Sequence, residues 1–307
     1  MEMRREDAQL REEQRKLQGL LASEEAQNDQ LKAWFADIKK RYDKRTELGK
    51  RRTIWAEQTE EIVVNAEEFI EKEPLTIILS TMGWIRAAKG HLDLAALDMK
   101  FKEGDELHTA FHAQSTDKVN LFVSGGKMFT LSANELPSAR GFGESVRMMA
   151  DIAADDEIVR AFVLDQNAKY LLVARHGTGF IVAGDACLAQ TKNGKQVMNT
   201  DPKNRAVLCI DVTGEYVALS GSNDKLLIFN TSEIPEMSRG KGVILQKYNA
   251  ERTYVIDAMF FDGADGFGWT TGRGTTKLDD WSPYVGKRAS QGRTMPVGFP
   301  RNGKFGK

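Results

Sequence analysis

The pattern of apolar and polar positions changes near residue 51. Upstream of it, apolar residues recur on the a and d positions of one heptad frame, interrupted by Gln14, Glu24 and Asn28. This spacing predicts one long helix with a single apolar stripe over residues 1–50, which we interpret as a coiled-coil arm. The apolar residues on its seam are Leu10, Leu17, Leu21, Leu31, Phe35, Ile38 and Tyr42.

No later segment of the sequence repeats a complementary heptad. We therefore expect the stripe to pack against a second chain or against a segment outside this sequence. The alternative is a helix whose stripe lies on its own domain, as the apolar stripes of globular proteins do. Residues 51–74 are acidic and mixed in pattern, so we interpret them as a connector that enters a second domain.

From residue 75 onward, short β-rich runs alternate with glycine-containing turns. Five of these runs read as strand, tight turn, strand, and their turn residues lie 43 to 51 residues apart. A further apolar run, such as "HTAFHA" or "AVLCIDV", supplies another strand between hairpins. Because one such unit cannot bury both faces of its sheet, we expect residues 75–307 to form a mainly β, five-bladed, propeller-like domain. The turn residues are Gly83, Gly126, Gly177, Asn223 and Gly272.

Charge and cysteine content exclude several classes of protein. The 307 residues include 43 Lys and Arg against 44 Asp and Glu, so a polyanionic partner would have to be bound by local charge. The two cysteines, Cys187 and Cys209, exclude a disulfide framework and fit a reducing compartment. The charged N-terminus and the absence of a long apolar run predict a cytoplasmic protein without a membrane partner.

Two loops of the β-rich region share an Arg-Gly-x-Gly motif, in "PSARGFG" around Arg140 and in "EMSRGKG" around Arg239. The third unit has "TKNGKQ" at the corresponding place, the fifth has "GKRASQGR", and the first has "AAKGHLDL" earlier in its unit. Glycine lets a backbone approach a partner closely and the basic side chain supplies charge, a combination suited to phosphate. The alternative is that glycine serves the turn and arginine is merely solvated.

We therefore predict that these loops contact phosphate groups, without reading bases. The candidate residues are Arg86, Lys89, His91, Lys127, Arg140, Lys192, Lys195, Arg239, Lys241, Lys287, Arg288 and Arg293. The segment 281–307 has six basic residues and no acidic one. It either extends this basic path or forms a disordered solubilising end.

Other chemistry is weakly represented. The glycine-rich stretches lack the spacing of a phosphate-binding loop, and no arrangement of nucleophile and base stands out. His108 and His112 share a strand face but have no third ligand nearby in the sequence, so we predict no metal site and no catalytic residue.

The residues resemble the C-terminal part of the A subunits of bacterial topoisomerase IV, the relatives of DNA gyrase. The resemblance is carried by "EPLTIILSTMGWIRAAKGH", by "LPSARGFGE", and by "KLQGLLAS" with "GKRRT" in the helical arm. It implies a β-pinwheel, a propeller relative whose blades exchange strands, and a rim that binds and bends duplex DNA. It also implies that the helix is the returning arm of a coiled coil.

Further expectations follow from this resemblance. The partners would be the remainder of the A subunit and the ATPase B subunit, with decatenation and supercoil relaxation by the whole enzyme in the nucleoid. Mg and ATP would serve that enzyme, whereas this chain would carry no cofactor and no catalytic tyrosine. "AAKGHLDL" departs from the glutamine-, arginine- and glycine-rich box of gyrase, which favours topoisomerase IV. The competing class is a propeller-like protein–protein interaction scaffold, which the near-neutral net charge favours.

Overall fold

A computed structural model describes residues 2–51, 71–97, 99–249, 252–272 and 274–306 of the chain. The chain divides into two compact units, Met1–Val64 and Asn65–Lys307. Most of the predicted connector, residues 52–70, lies outside the described residues, so its boundaries stay a prediction.

The N-terminal unit contains two helices, α1 (Glu2–Ala22) and α2 (Glu24–Arg41), where the heptad pattern predicted one. Ser23 separates them because its backbone is extended, with φ −135° and ψ 116°. Its hydroxyl accepts a hydrogen bond from the amide of Ala26 at 3.2 Å, which satisfies one of the free N–H groups at the start of α2. Glu24 and Glu25 in the first turn of α2 add favourable charge at the positive end of the helix dipole.

The predicted apolar seam is present and exposed. All seven of its apolar side chains keep between 45% and 80% of their surface accessible. An exposed stripe of this length is unusual for a helix that packs on a core, so the stripe remains available to another helix.

The second unit is built from strands. In its described residues they form four four-stranded antiparallel sheets and one two-stranded sheet, and one short helix, α3 (Val146–Met149), interrupts them. In chain order the strands are β1 (Pro74–Ser80), β2 (Trp84–Lys89), β3 (Leu107–Gln114), β4 (Lys118–Val123), β5 (Lys127–Ser132), β6 (Glu144–Ser145), β7 (Ile158–Val163), β8 (Lys169–Ala174), β9 (Thr178–Ala183), β10 (Lys195–Gln196), β11 (Ala206–Asp211), β12 (Tyr216–Gly221), β13 (Lys225–Asn230), β14 (Val243–Ile244), β15 (Val255–Phe261), β16 (Phe267–Thr271), β17 (Gly274–Leu278) and β18 (Arg293–Thr294).

The five predicted hairpins are confirmed as β1–β2, β4–β5, β8–β9, β12–β13 and β16–β17. Gly83, Gly126 and Gly177 lie in the turns of the first three hairpins with φ between 76° and 81°, a conformation that L residues rarely adopt. The first four hairpins belong to four-stranded sheets, whereas β16 and β17 form a two-stranded sheet.

Each four-stranded sheet borrows its last strand from the next unit. The sheet orders are β3–β1–β2–β6, β7–β4–β5–β10, β11–β8–β9–β14 and β15–β12–β13–β18. For example, β10 follows the hairpin of the third sheet along the chain, yet Lys195 in β10 pairs with Met128 in the second sheet. The short strands β6, β10, β14 and β18 are therefore exchanged strands, as expected for a β-pinwheel.

Apolar side chains fill the space between consecutive sheets. Alternate residues of one strand point to opposite faces, so Leu121 of β4 joins the cluster shared with the first sheet and Phe122 joins the cluster shared with the third. Both faces of the central strands are buried, which explains their nearly continuous apolar runs. Each sheet can therefore bury its hydrophobic surface only with its neighbours in place.

The order of strands within each sheet defines an inner and an outer edge. Strand β3 contacts β7, β7 contacts β11, and β11 contacts β15. In sheets arranged radially, the strands that meet those of neighbouring sheets are the ones closest to the axis. The exchanged strands, on the opposite side of every sheet, consequently lie at the outer edge.

The C-terminal segment packs on the fourth sheet and the last hairpin. Phe305 is 5% exposed and joins the cluster that contains Phe267 and Trp269. The amide of Thr270 donates to the carbonyl of Phe305 at 2.7 Å, and the Ser220 hydroxyl donates to the carbonyl of Gly303 at 2.6 Å. The alternative of a disordered end for residues 281–307 is therefore wrong for the described part of this segment.

Candidate nucleic-acid interface

A short loop precedes each exchanged strand and delivers it to the outer edge of a sheet. We call these the corner loops: the first covers residues 138–143, the second 189–194, the third 237–242 and the fourth 287–292. Each corner loop ends in a glycine, Gly143, Gly194, Gly242 or Gly292, whose φ lies between 70° and 83°.

These terminal glycines are required by the fold. A Cβ on Gly143, Gly242 or Gly292 would collide with the backbone carbonyl of Ile85, Gly179 or Leu226, respectively, in the strand that receives the exchanged strand. A Cβ on Gly194 would lie 2.8 Å from the carbonyl of Met128. The second glycine of the Arg-Gly-x-Gly motif therefore closes the strand exchange, which agrees with the alternative that glycine serves the turn.

The first glycine of the motif has no comparable constraint. A Cβ on Gly141 would meet nothing within 4 Å, and one on Gly240 would meet the flexible side chain of Met237. The backbone of both glycines, which belong to the described residues, lies outside the positive-φ region. This position therefore tolerates side chains, and the second and fourth corner loops have Lys192 and Ser290 there.

The terminal glycines define which residues of the four loops are equivalent. Arg140 and Arg239 occupy the same position, and the corresponding residues are Thr191 and Ala289. The prediction of a basic residue at matching positions in every unit is therefore too strict. Lys192 is displaced by one residue, and Lys195 and Arg293 begin the exchanged strands β10 and β18.

Most of the predicted cations in the corner loops and the exchanged strands are exposed. Arg239 makes one 3.3 Å hydrogen bond from Nε to Asn199 Oδ1. Arg288 is half-buried and donates from Nη1 to the carbonyl of Ile244 at 2.7 Å. The side chains without a hydrogen bond or ion pair among the described residues are Arg140, Lys192, Lys195, Lys241, Lys287 and Arg293.

Lys127 and Lys225 contact corner loops from the neighbouring strand. The Lys127 ammonium lies 3.4 Å from the carbonyl of Asn193 in the second corner loop. The Lys225 ammonium donates to Gln291 Oε1 at 2.8 Å in the fourth. Lys225 was not among the predicted site residues, although the two lysines follow the turns of their hairpins in matching Ser-x-x-Lys stretches, "SGGK" and "SNDK".

The predicted site residues of "AAKGH" lie elsewhere. Lys89 ends β2 and forms an ion pair with Glu73 at 3.0 Å. The His91 ring stacks on His112 with centroids 4.4 Å apart. Because this segment follows a hairpin strand rather than preceding an exchanged strand, the first unit has no corner loop of its own at this point.

Arg86 also departs from the prediction. Its side chain is only 5% exposed, so it does not face a phosphate at the surface. Nη1 donates to the carbonyl of Gly141 at 2.5 Å and Nη2 to the carbonyl of Lys100 at 3.0 Å, while the guanidinium lies over the Phe101 ring. Burial lowers the pKa of Arg86 from its ordinary value.

The described residues offer little for catalysis or metal binding. Burial raises the pKa of the Cys187 and Cys209 thiols to about 12, so both stay protonated and unreactive at neutral pH. No group of three or more His, Cys, Asp or Glu side chains in the described part of the chain is arranged to hold a metal ion.

Membrane insertion through a helix finds no support in the described residues. None of their helices is both long and apolar enough to cross a bilayer.

Comparison with known proteins identifies the family. The family model "DNA gyrase C-terminal domain, beta-propeller" matches residues 124–165 and 215–259. The chain is 40% identical over 271 residues to the A subunit of DNA topoisomerase 4 from Rickettsia bellii, covering 87% of this chain and 36% of that protein. It is 39% identical over 318 residues to the corresponding protein of Caulobacter vibrioides, covering 99% of this chain and 41% of that protein.

The solved C-terminal domain of ParC from E. coli has the same fold. It superposes with a TM-score of 0.64 at 24% identity, over 75% of this chain and 96% of that one. The chain spans about two fifths of the length of the curated relatives it matches. It belongs to the family of topoisomerase IV A subunits and corresponds to the C-terminal part of such a protein, with a β-propeller domain of the DNA gyrase type.

Proposed function

We propose that the β domain of this chain binds duplex DNA through its corner loops and bends it along the outer edge of the sheets. The chain would act as a non-catalytic accessory part of a type II topoisomerase. Its binding would support decatenation and supercoil relaxation by the whole enzyme on the bacterial nucleoid in the cytoplasm. The remainder of the A subunit and the ATPase B subunit would be its partners, and Mg and ATP would act in those other parts.

One observation carries the proposal: exposed cations with no ion pair among the described residues recur at the outer edges of successive sheets. Arg140, Lys192, Lys241 and Arg293 each belong to a different corner loop or adjoining exchanged strand. A charge of this kind on a rigid turn neutralises a phosphate at little entropic cost, because the backbone is already ordered. Several such charges at repeated positions would follow a backbone and bend it, independently of base sequence.

The charge reversals Arg140→Glu and Arg239→Glu, combined in one variant, test the proposal. We expect weaker binding to unrelated duplexes alike, and a log–log salt dependence flatter by roughly one to two units, because two phosphate contacts would be lost. Stability should change by less than about 0.5 kcal/mol per exposed arginine. Anisotropy titrations of a short labelled duplex at several salt concentrations, with thermal melts of the same protein, measure both.

The pair Lys203→Glu and Arg252→Glu is the matched control. Both residues are exposed, lie outside the corner loops, and change the net charge equally. An unchanged salt slope in the Arg140 and Arg239 variant would end the assignment of these two residues. If the unmodified chain itself shows no salt-dependent binding to duplex DNA, the proposed DNA-binding function is wrong and the alternative of a protein–protein interaction scaffold replaces it.

A further inference from the structure

Arg86 is a charged residue at a position that the other sheets fill with apolar side chains. Ile85, Met128, Gly179 and Leu226 all pair with the first residue of an exchanged strand. The residue that follows each of them is therefore equivalent in the four sheets. In the second, third and fourth sheets the equivalents of Arg86 are Phe129, Phe180 and Leu227, all at most 1% exposed.

The neighbouring sheets explain this difference. Phe129, Phe180 and Leu227 belong to the clusters between their own sheet and the preceding one. The first sheet has no preceding repeat in the described residues, and the connection between β2 and β3 contributes the Phe101 ring and the Lys100 carbonyl to Arg86 instead. A guanidinium is thus buried where the repeat otherwise demands an apolar residue.

The fourth residue of each corner loop shows what the guanidinium replaces. In the last three loops its carbonyl accepts a backbone amide: Lys192 from Asp151 at 2.9 Å, Gly240 from Asn199 at 2.8 Å and Ser290 from Lys247 at 2.9 Å.

These donors follow the exchanged strands β6, β10 and β14, so the preceding unit braces each loop. No exchanged strand precedes the first corner loop in the described residues. There the equivalent carbonyl, that of Gly141, accepts its hydrogen bond from Arg86 at 2.5 Å.

We propose that Arg86 is a positioning residue that takes the role of the bracing backbone amide, for which the described residues offer no preceding unit, and holds the first corner loop in its binding conformation. The bonded carbonyl belongs to the residue next to Arg140, so the brace fixes the backbone that carries this exposed cation. Arg86 acts through Arg140 and does not contact phosphate itself. The inference rests on the proposed function of the corner loops.

The variant Arg86→Met, made in the whole chain, tests whether Arg86 holds the first corner loop in place. Methionine keeps an unbranched apolar stem but leaves the Gly141 and Lys100 carbonyls without the guanidinium donor, so we expect the variant to fold with somewhat lower stability. We expect duplex affinity to fall about three- to ten-fold, because the loop must be ordered on binding, while the salt slope stays unchanged. Amide exchange of residues 138–143 should accelerate at least about ten-fold, and Arg86→Lys should restore part of both properties.

Arg160→Met is the control, since Arg160 also lies over an aromatic ring, that of Phe162, and donates to a carbonyl, that of Cys209 at 3.3 Å. Unlike Arg86, Arg160 also forms an ion pair, with Asp211 at 2.6 Å. It lies on the inner strand β7, so its loss should leave loop exchange and DNA affinity unchanged. If Arg86→Met does not fold, Arg86→Lys, which keeps the cation but loses one of the two bonds, carries the same test at smaller amplitude.

The outcomes separate this inference from the proposed function. In an Arg140→Glu background, Arg86→Met should have no further effect on affinity, because the two residues act in series. A salt slope that falls by a further unit or so when Arg86→Met is added to the Arg140→Glu background would mean that Arg86 itself contacts phosphate, and would overturn the positioning role. Normal loop exchange and affinity in Arg86→Met, with weakened binding in the Arg140 and Arg239 variant, would overturn this inference alone. If Arg86→Met accelerates amide exchange of residues 138–143 but the unmodified chain shows no salt-dependent DNA binding, the positioning role of Arg86 stands and the proposed function is refuted.

Discussion

At the scale of single residues, the two glycines of the Arg-Gly-x-Gly motif in the corner loops differ in their structural role. Of the two glycines in the Arg-Gly-x-Gly motif, all four loops share only the second, whose Cα lies close against a neighbouring strand. The arginine and the first glycine vary from loop to loop, as residues of a binding surface commonly do. The two halves of the motif should therefore respond differently to substitution.

We predict that Gly143→Ala destabilises the domain by about 1–3 kcal/mol, since alanine must adopt φ 83° and its Cβ meets the carbonyl of Ile85. Gly141→Ala should be close to neutral, because nothing lies within 4 Å of its would-be Cβ. Denaturant unfolding of the two variants measures the difference. Equal stability of the two would show that the loop relaxes and that the strand exchange does not need this glycine.

At the scale of elements, one segment differs from its sequence-based prediction, and in another the structure excludes one of two open alternatives, each for a local reason. The heptad pattern continues through Ser23, but the serine caps α2 and so ends α1 at Ala22. The C-terminal segment looks like a soluble tail by composition, yet Phe305 enters the last core cluster. In both cases the contacts of one residue, Ser23 or Phe305, determine the local structure, although the pattern or composition of the whole segment indicates otherwise.

We predict that Phe305→Ala lowers the free energy of unfolding by roughly 3 kcal/mol or more, as expected for truncation of a buried aromatic ring. Val297→Ala, in the same segment, should change it by less than about 0.5 kcal/mol, because Val297 is fully exposed. Thermal and denaturant melts of both variants provide the measurement. A neutral Phe305→Ala would mean that the segment does not hold the last hairpin in solution.

At the scale of the whole molecule, strand exchange links each sheet to the next. The first sheet is completed by β6, which lies beyond the hairpin of the second, and this continues through the fourth sheet. No four-stranded sheet can therefore form fully without residues from its neighbour. This coupling exceeds the nearest-neighbour packing of ordinary repeat proteins.

We predict that a chain lacking residues 1–50 keeps the β domain and unfolds in a single cooperative transition. The exchanged strands and shared clusters make partial unfolding of one sheet costly for the next. Far-ultraviolet circular dichroism and tryptophan fluorescence should therefore report coincident transitions and a β-rich spectrum. A predominantly helical spectrum, or separated transitions by the two probes, would contradict this prediction.

The sequence by itself determined the repeat, the hairpins and the family, because these follow from local alternation, turn residues and contiguous motifs. Only the tertiary structure decided which corner-loop residues are equivalent, that Arg86 is buried, that Lys89 is ion-paired, and that Lys225 reaches a corner loop. Each of these depends on strand exchange, which brings together residues such as Arg86 and Gly141 that lie 55 positions apart. A local sequence pattern predicts which face of its strand a residue occupies. The residues it contacts on that face come from another unit of the chain, so its burial and hydrogen bonds are determined only when the sheets assemble.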